Sequence, residues 1–274
     1  GVTQHHHELS TPKISRPVSS HTSVTVLGML GLPYSRSAID RAGVVLRDWY
    51  LEGRAADSWS GRAPHELEPH ILEAAEVVWA YRALFLKPLT KVTVGLRQFV
   101  QRESSQIIVS QRLKRLPTII DKLARFPAMN VTQMQDIGGC RAILPGGRPE
   151  IEGVLRRIEK NRWEVRLHRD YISEPKDTGY RAIHVVVVRD ECPIEIQLRT
   201  PNQHAWAAQT ERVGAMLGIA LKDGVGPDDL VDFFRLVALS LAYQDEGRAP
   251  DMRHRTKFVR TYQAVQRRYP EIFT

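Results

Sequence analysis

Between residues 107 and 199 the hydrophobic pattern of this chain changes period, and that change constrains the fold more than any other feature. Short β-like runs at 107–110, 139–144, 163–168, 181–189 and 193–199 alternate with helix-like segments at 119–126 and 150–160. Such alternation buries its apolar residues when the strands form one sheet and the helices cover it. The four valines at 185–188 are apolar toward both faces, as an interior strand requires. In the last run Ile194, Ile196 and Leu198 fall on one face, and Glu195, Gln197 and Arg199 on the other. The predicted fold class is therefore α/β: a mixed, about five-stranded sheet flanked by N- and C-terminal helices.

Helical spacing brackets this region. Ile39, Gly43, Leu46 and Tyr50 share a face after a Ser37 cap, and Leu67, Ile71, Ala74, Val78, Tyr81 and Phe85 recur after Pro64. Pro88 is expected to break that second helix, with a third over 89–102. After Thr200 helices are predicted at 201–217, 227–243 and 252–268, with Gly224, Gly226, Gly247 and Pro250 as punctuation. This divides the chain into a disordered Ser/Pro-rich arm (1–36), a helical region (37–104), a sheet core (105–218) and a C-terminal helical region (219–274).

The formal charge of +8 points to a polyanionic partner such as nucleotide, RNA or anionic lipid. Its distribution says more. Residues 37–246 are almost neutral, with 29 basic groups against 28 acids, whereas 247–270 carries seven basic residues and one acid, Asp251. Only two cysteines occur, Cys140 and Cys192, which excludes a disulfide framework and a four-ligand zinc set and fits the cytoplasm. The most apolar stretch, 24–32, is about half the ~20 residues of a spanning helix, so no membrane is expected as a partner. His5, His6 and His7 at the terminus are read as incidental.

Four segments carry chemistry. Glu195 lies on the polar face of the last strand, and Asp136 immediately precedes another β-like run. Two carboxylates on neighbouring strands make a natural Mg²⁺ and general-base pair for phosphoryl chemistry. The loop 169–184 offers Lys176 for phosphate, the Tyr180 ring for base stacking and the His184 imidazole for a hydrogen bond. The segment 110–115 with Lys122 supplies cations suited to a triphosphate.

These residues resemble the synthetase domain of the RelA/SpoT alarmone synthetases, especially the small stand-alone members. The likeness covers 108–212 and rests on four elements in family order. They are Arg112-x-Lys114 with Lys122; Asp136-Ile137-Gly138-Gly139-Cys140-Arg141; Gly179-Tyr180-Arg181-Ala182-Ile183-His184 after Pro175-Lys176; and Glu195-Ile196-Gln197-Leu198-Arg199-Thr200. The resemblance implies a nucleotidyltransferase-like core and a pyrophosphokinase that moves the β,γ-pyrophosphate of ATP to a 3′-hydroxyl and releases AMP. It implies that Asp136 holds Mg²⁺ and that Glu195 activates the acceptor or shares the metal. By the same resemblance Arg112 and Arg141 sandwich the adenine, Lys114 and Lys122 meet the phosphates, and Tyr180 stacks on the acceptor base. Lys176, His184, Gln197 and His204 complete the acceptor side.

Two departures touch the acceptor pocket. Thr178 stands where the family often has Asn or Ser, and Glu211-Arg212 stands where it commonly has Glu-His one residue earlier. Acceptor identity stays open between GDP or GTP, giving guanosine tetra- or pentaphosphate, and the 3′ end of tRNA, as in toxic relatives. A third alternative is a catalytically inert nucleotide- or RNA-binding module. Arg253, Arg255, Lys257 and Arg260 suit an RNA backbone. They equally suit a solvated helix on which Phe258, Tyr262 and Tyr269 form the packing stripe. No His-Asp dipeptide occurs, so a synthetase-only protein is expected. A homo-oligomer through terminal helices and a neutralising antitoxin protein are further partners that the resemblance leaves open.

Overall fold

A computed structural model describes residues 33–53, 68–101 and 107–273. The predicted arm up to residue 32, with its three histidines and apolar stretch, lies outside the described residues, as do Pro64 and Leu67. Helix α1 (Arg36–Leu51) is capped by Ser35, not Ser37: the Ser35 hydroxyl accepts from the Ala38 amide at 3.2 Å. Its buried face includes Trp49, while Tyr50 is exposed, because the helical stripe drifts off a strict four-residue step. Helix α2 (Pro69–Ala83) starts with a proline at N1, and α3 (Leu86–Val100) follows almost at once. Pro88 does not end α2 itself. It occupies the first turn of α3, where a missing amide costs nothing, and its ring forces the break to fall just upstream.

Five strands form one sheet: β1 (Ile108–Leu113), β2 (Gly138–Ile143), β3 (Glu164–Asp170), β4 (Ile183–Arg189) and β5 (Cys192–Arg199). The spatial order is β1-β2-β5-β4-β3, all neighbours antiparallel except the parallel pair β2 and β5. The expected mixed sheet is present, with β1 ending three residues later than predicted, so that Arg112 sits on a strand. Between strands lie α4 (Leu116–Arg125) and α5 (Gly147–Lys160), and after β5 come α6 (Pro201–Leu217), α7 (Asp228–Asp245) and α8 (Met252–Arg268). Thr200 caps α6 through a reciprocal pair with Gln203, which fixes where the chain leaves the central strand.

The two faces of the sheet differ in kind. Cys140, Ala142, Ile183, Val185, Val187, Ile194, Ile196 and Leu198 pack into one apolar core with α1 to α5. The N-terminal helices thus cover this face, one of the roles their sequence left open. The opposite face is polar: across it runs a row of Ser110, Arg141, Gln197, His184 and Arg169, beside a row of Arg112, Gly139, Glu195, Val186 and Leu167. Gly139 leaves the space between Arg112 and Glu195 free of any side chain. A second core of Tyr180, Ala182, Trp206, Val213, Leu230, Phe233 and Val265 joins the C-terminal helices to the polar face. Phe258 and Tyr262 stack together and meet Phe233, so the aromatic stripe of α8 packs inward.

Candidate active site

Both predicted carboxylates stand at the same end of the parallel β2 and β5 pair. Asp136 precedes β2, and Glu195 faces Gly139 across the register. Lys122 Nζ donates to both Asp136 oxygens at 2.9 Å, and Lys114 Nζ donates to Oδ2 at 2.9 Å. Burial raises the Asp136 pKa, but the charges and hydrogen bonds of the two lysines outweigh it and hold the carboxyl below its ordinary range. Lys114 is set by its backbone: its amide donates to the Ile137 carbonyl, and its own carbonyl accepts from Arg82 Nε.

Glu195 belongs to a closed ring of hydrogen bonds. His184 Nδ1 is 2.9 Å from Glu195 Oε1, and Gln197 Nε2 donates to Oε2 at 2.6 Å. Arg199 Nη2 donates to Gln197 Oε1 and to the Tyr180 hydroxyl, both at 2.7 Å, and that hydroxyl is 2.6 Å from His184 Nε2. Burial pushes Glu195 upward and Asp136 adds to that push. The His184 and Gln197 bonds win, leaving the carboxyl below its usual range. Tyr180 is driven up to about 12, chiefly by burial, with Arg199 opposing. Its phenol is therefore neutral.

Cations gather beside the ring. Arg112 and Arg141 are diagonal neighbours on the polar face, offset by two residues across β1 and β2. Burial, then Arg199 and Arg112, lowers the pKa of Arg141, whose Nε is buried and makes no hydrogen bond. Arg112 and Arg141, this close and with an unmet donor on Arg141, favour an anion between them; Arg199 also has an unmet Nε but is fully buried. His204 lies on the first turn of α6 with a lowered pKa, from burial and then Arg141 and Arg199, and an unpartnered Nδ1. The sequence reading missed Lys222, gave Arg199 no role beyond its place on the polar face, and noted Glu211 only as a departure from the family pattern. Glu211, on α6, pairs with Lys222 Nζ at 2.5 Å, and that ammonium lies 5.4 Å from the Tyr180 ring centroid. Lys176 lies 5.3 Å from the same centroid. With 3% of its surface exposed, Tyr180 offers a base no open face until a cation moves. Thr178, the departure noted above, has a buried hydroxyl with no partner.

The four α8 cations do not all line one groove. Lys176, Gly179 and Arg181 from the loop, Arg235 from α7, and Arg253 and Lys257 from α8 line a groove of about 810 Å³. Arg255 and Arg260 are not among its lining residues.

Residues 111–213 match the family profile described as the region found in RelA / SpoT proteins. The likeness covers this stretch, less than half of the chain. A GTP pyrophosphokinase, YjbM, of Bacillus subtilis is 33% identical over 127 residues, covering 41% of this chain and 60% of that protein. A probable chloroplastic GTP diphosphokinase, RSH3, of Arabidopsis thaliana is 33% identical over 126 residues, which is 43% of this chain and 17% of that one. The chain thus spans less than two thirds of the curated relatives it matches. A solved GTP pyrophosphokinase family protein from Streptococcus pneumoniae superimposes with a TM-score of 0.50 at 25% identity, over 60% of this chain and 88% of that one. Arg112, Arg141, His184, Glu195 and Gln197 lie on strands, Lys114 and Asp136 lie beside them, Lys122 is on α4, Lys176 and Tyr180 are in the loop between β3 and β4, and His204 is on α6.

The donor set suits Mg²⁺ in one respect that the geometry supplies. Among the described residues no three His, Cys, Asp or Glu side chains are grouped to hold a metal alone. Two hard carboxylates remain, the number Mg²⁺ commonly takes when phosphates and water complete its shell.

Proposed function

We propose that this chain is an ATP-dependent pyrophosphokinase acting on the 3′-hydroxyl of GDP or GTP, giving guanosine tetra- or pentaphosphate and AMP. The observation that carries this is Glu195: a partly buried carboxylate kept ionised by two hydrogen-bond donors, facing an open glycine and flanked by Arg112, Arg141 and the Lys114, Lys122 and Asp136 cluster. Glu195 takes the proton as the 3′-oxygen bonds to the β-phosphorus, the bond from that phosphorus to the α–β bridging oxygen breaks, and AMP leaves. Lys114 and Lys122 absorb charge on the transferred phosphates, and Arg112 with Arg141 holds the adenine, so that positioning and fixed charge supply most of the rate. Bound Mg²⁺, held by Asp136 with Glu195, would neutralise phosphate charge. Lys176, Tyr180, His184, Gln197 and His204 form the acceptor side. Two buried free cysteines suit the cytoplasm.

The groove favours a second reading, transfer to the 3′ end of tRNA. Arg253 and Lys257 lie along the back of the acceptor loop, where an RNA backbone longer than one nucleotide would run. AMP release from ATP with Mg²⁺ and GDP, GTP, ADP or tRNA, in wild type and Glu195→Gln, decides between them. Wild-type protein that releases no AMP with any of these acceptors would leave the inert-module reading in its place.

A further inference from the structure

The ring around Glu195 has a direction, and one residue sets it. Arg199 is 1% exposed and makes no ion pair with a carboxylate among the described residues, a costly state for a guanidinium. Arginine only donates hydrogen bonds, and an ionised carboxylate only accepts them. The arrangement that gives the Tyr180 hydroxyl proton an acceptor within the ring passes a donor onward at each step between these two ends.

Along one arm, Arg199 donates to Gln197 Oε1, which turns the Gln197 amide nitrogen toward Glu195. Along the other, Arg199 donates to the Tyr180 oxygen. The phenolic proton then points at His184 Nε2, 2.6 Å away, making that nitrogen the acceptor and leaving the imidazole proton on Nδ1, 2.9 Å from Glu195. Both arms thus converge on the carboxylate as N–H donors. Neither Arg199 nor Tyr180 touches Glu195 directly, so the carboxylate is oriented without being tied up in an ion pair.

We propose that Arg199 is the positioning residue of this site: as the donor-only end of two relays, it fixes the Gln197 amide and the His184 ring, with Nδ1–H toward Glu195, and so aims the Glu195 carboxylate. The consequence for catalysis rests on the reading of Glu195 as the group that accepts the 3′-hydroxyl proton. The direction of the ring does not.

Nitrogen NMR of the full chain with labelled histidine, His184 being assigned through His184→Gln, reads the direction without turnover. Wild type is expected to show Nδ1 protonated and Nε2 a hydrogen-bonded acceptor. Arg199→Lys, still donor-only, is expected to preserve that pattern. Arg199→Gln, which offers an acceptor of its own, frees the Tyr180 proton and should change the Nε2 signal. Tyr180→Phe keeps Arg199 and cuts one arm, so the same Nε2 change is expected there with the Gln197 side-chain amide signals unmoved. A protonated Nε2 in wild type overturns the proposal, as does an unchanged Nε2 signal in Tyr180→Phe or in folded Arg199→Gln. In turnover, Arg199→Gln should lower kcat roughly 10–100-fold with the KM for ATP unchanged, and Arg199→Lys should restore much of it. A wild-type chain with the predicted spectrum and no AMP release would refute the pyrophosphokinase reading while leaving the relay standing.

Discussion

Lys222 and Glu211 form an ion pair of 2.5 Å that places an ammonium over the ring of Tyr180. Burial lowers the Lys222 pKa and Glu211 opposes it, while Arg199 pushes the same way as burial. A base that stacks on Tyr180 from that side displaces the ammonium and loses its cation–π contact, worth about 0.5–1 kcal/mol. Lys222→Ala is accordingly expected to lower the KM for the acceptor about two- to fivefold and to leave the KM for ATP alone. Steady-state kinetics with each substrate varied checks this, and a raised acceptor KM would show instead that Lys222 binds the acceptor.

Glu195→Gln keeps shape and removes the proton acceptor. AMP release should fall about 10²–10⁴-fold, the range of a lost general base. Thermal unfolding followed alongside should show a folded protein, since the amide oxygen still accepts from one of the two donors.

Asp136 gives a pH signature in stability. Its folded pKa lies below the ordinary value, so its contribution is full above the ordinary carboxylate range and is lost as pH falls through the folded value. Urea unfolding of wild type and Asp136→Asn should differ most near neutrality and converge in acid. A gap that stays constant with pH would contradict the lysine clamp.

Gly179 anchors the acceptor loop to α7. Its φ is +88°, and a Cβ there would lie 2.7 Å from the Ala238 methyl. Gly179→Ala should cost about 1–3 kcal/mol in urea unfolding and raise the acceptor KM. Adding Ala238→Gly relieves the clash but not the backbone strain, so rescue should be partial.

The groove separates the acceptors. Arg253→Gln with Lys257→Gln should weaken activity on tRNA, make its log–log salt dependence shallower by about 1.4, and spare activity on GDP. Arg255→Gln, at a residue that does not line the groove, should do less. Equal loss on both acceptors argues against an RNA path here.

Period and motif made much of this architecture legible. The run from Ile194 to Arg199 showed its two faces directly, and Arg199 stood in that alternation beside Glu195 and Gln197. What concealed its role is that burial is a tertiary property: only α6 and Tyr180, arriving from elsewhere in the chain, close over the guanidinium. Lys222 had no signal at all, since a lysine in a turn reads as solvated surface until Glu211 is brought beside it. The α8 cations were visible as a cluster, yet only the helix rotation imposed by Phe258 and Tyr262 against Phe233 decides which of them face the loop. Ser35 was passed over for Ser37 because both suit a cap and the choice depends on where the helix begins.

The strand made last among the five is the one at the centre of the sheet. Without β5 the sheet comprises two separate antiparallel pairs, β1 with β2 and β3 with β4, with unpaired edges where β5 belongs. Insertion of β5 joins them and, in the same event, delivers Glu195 to Asp136. The nascent chain is therefore without its carboxylate pair until the sheet is complete, and a product truncated before β5 would be prone to aggregate as well as inactive.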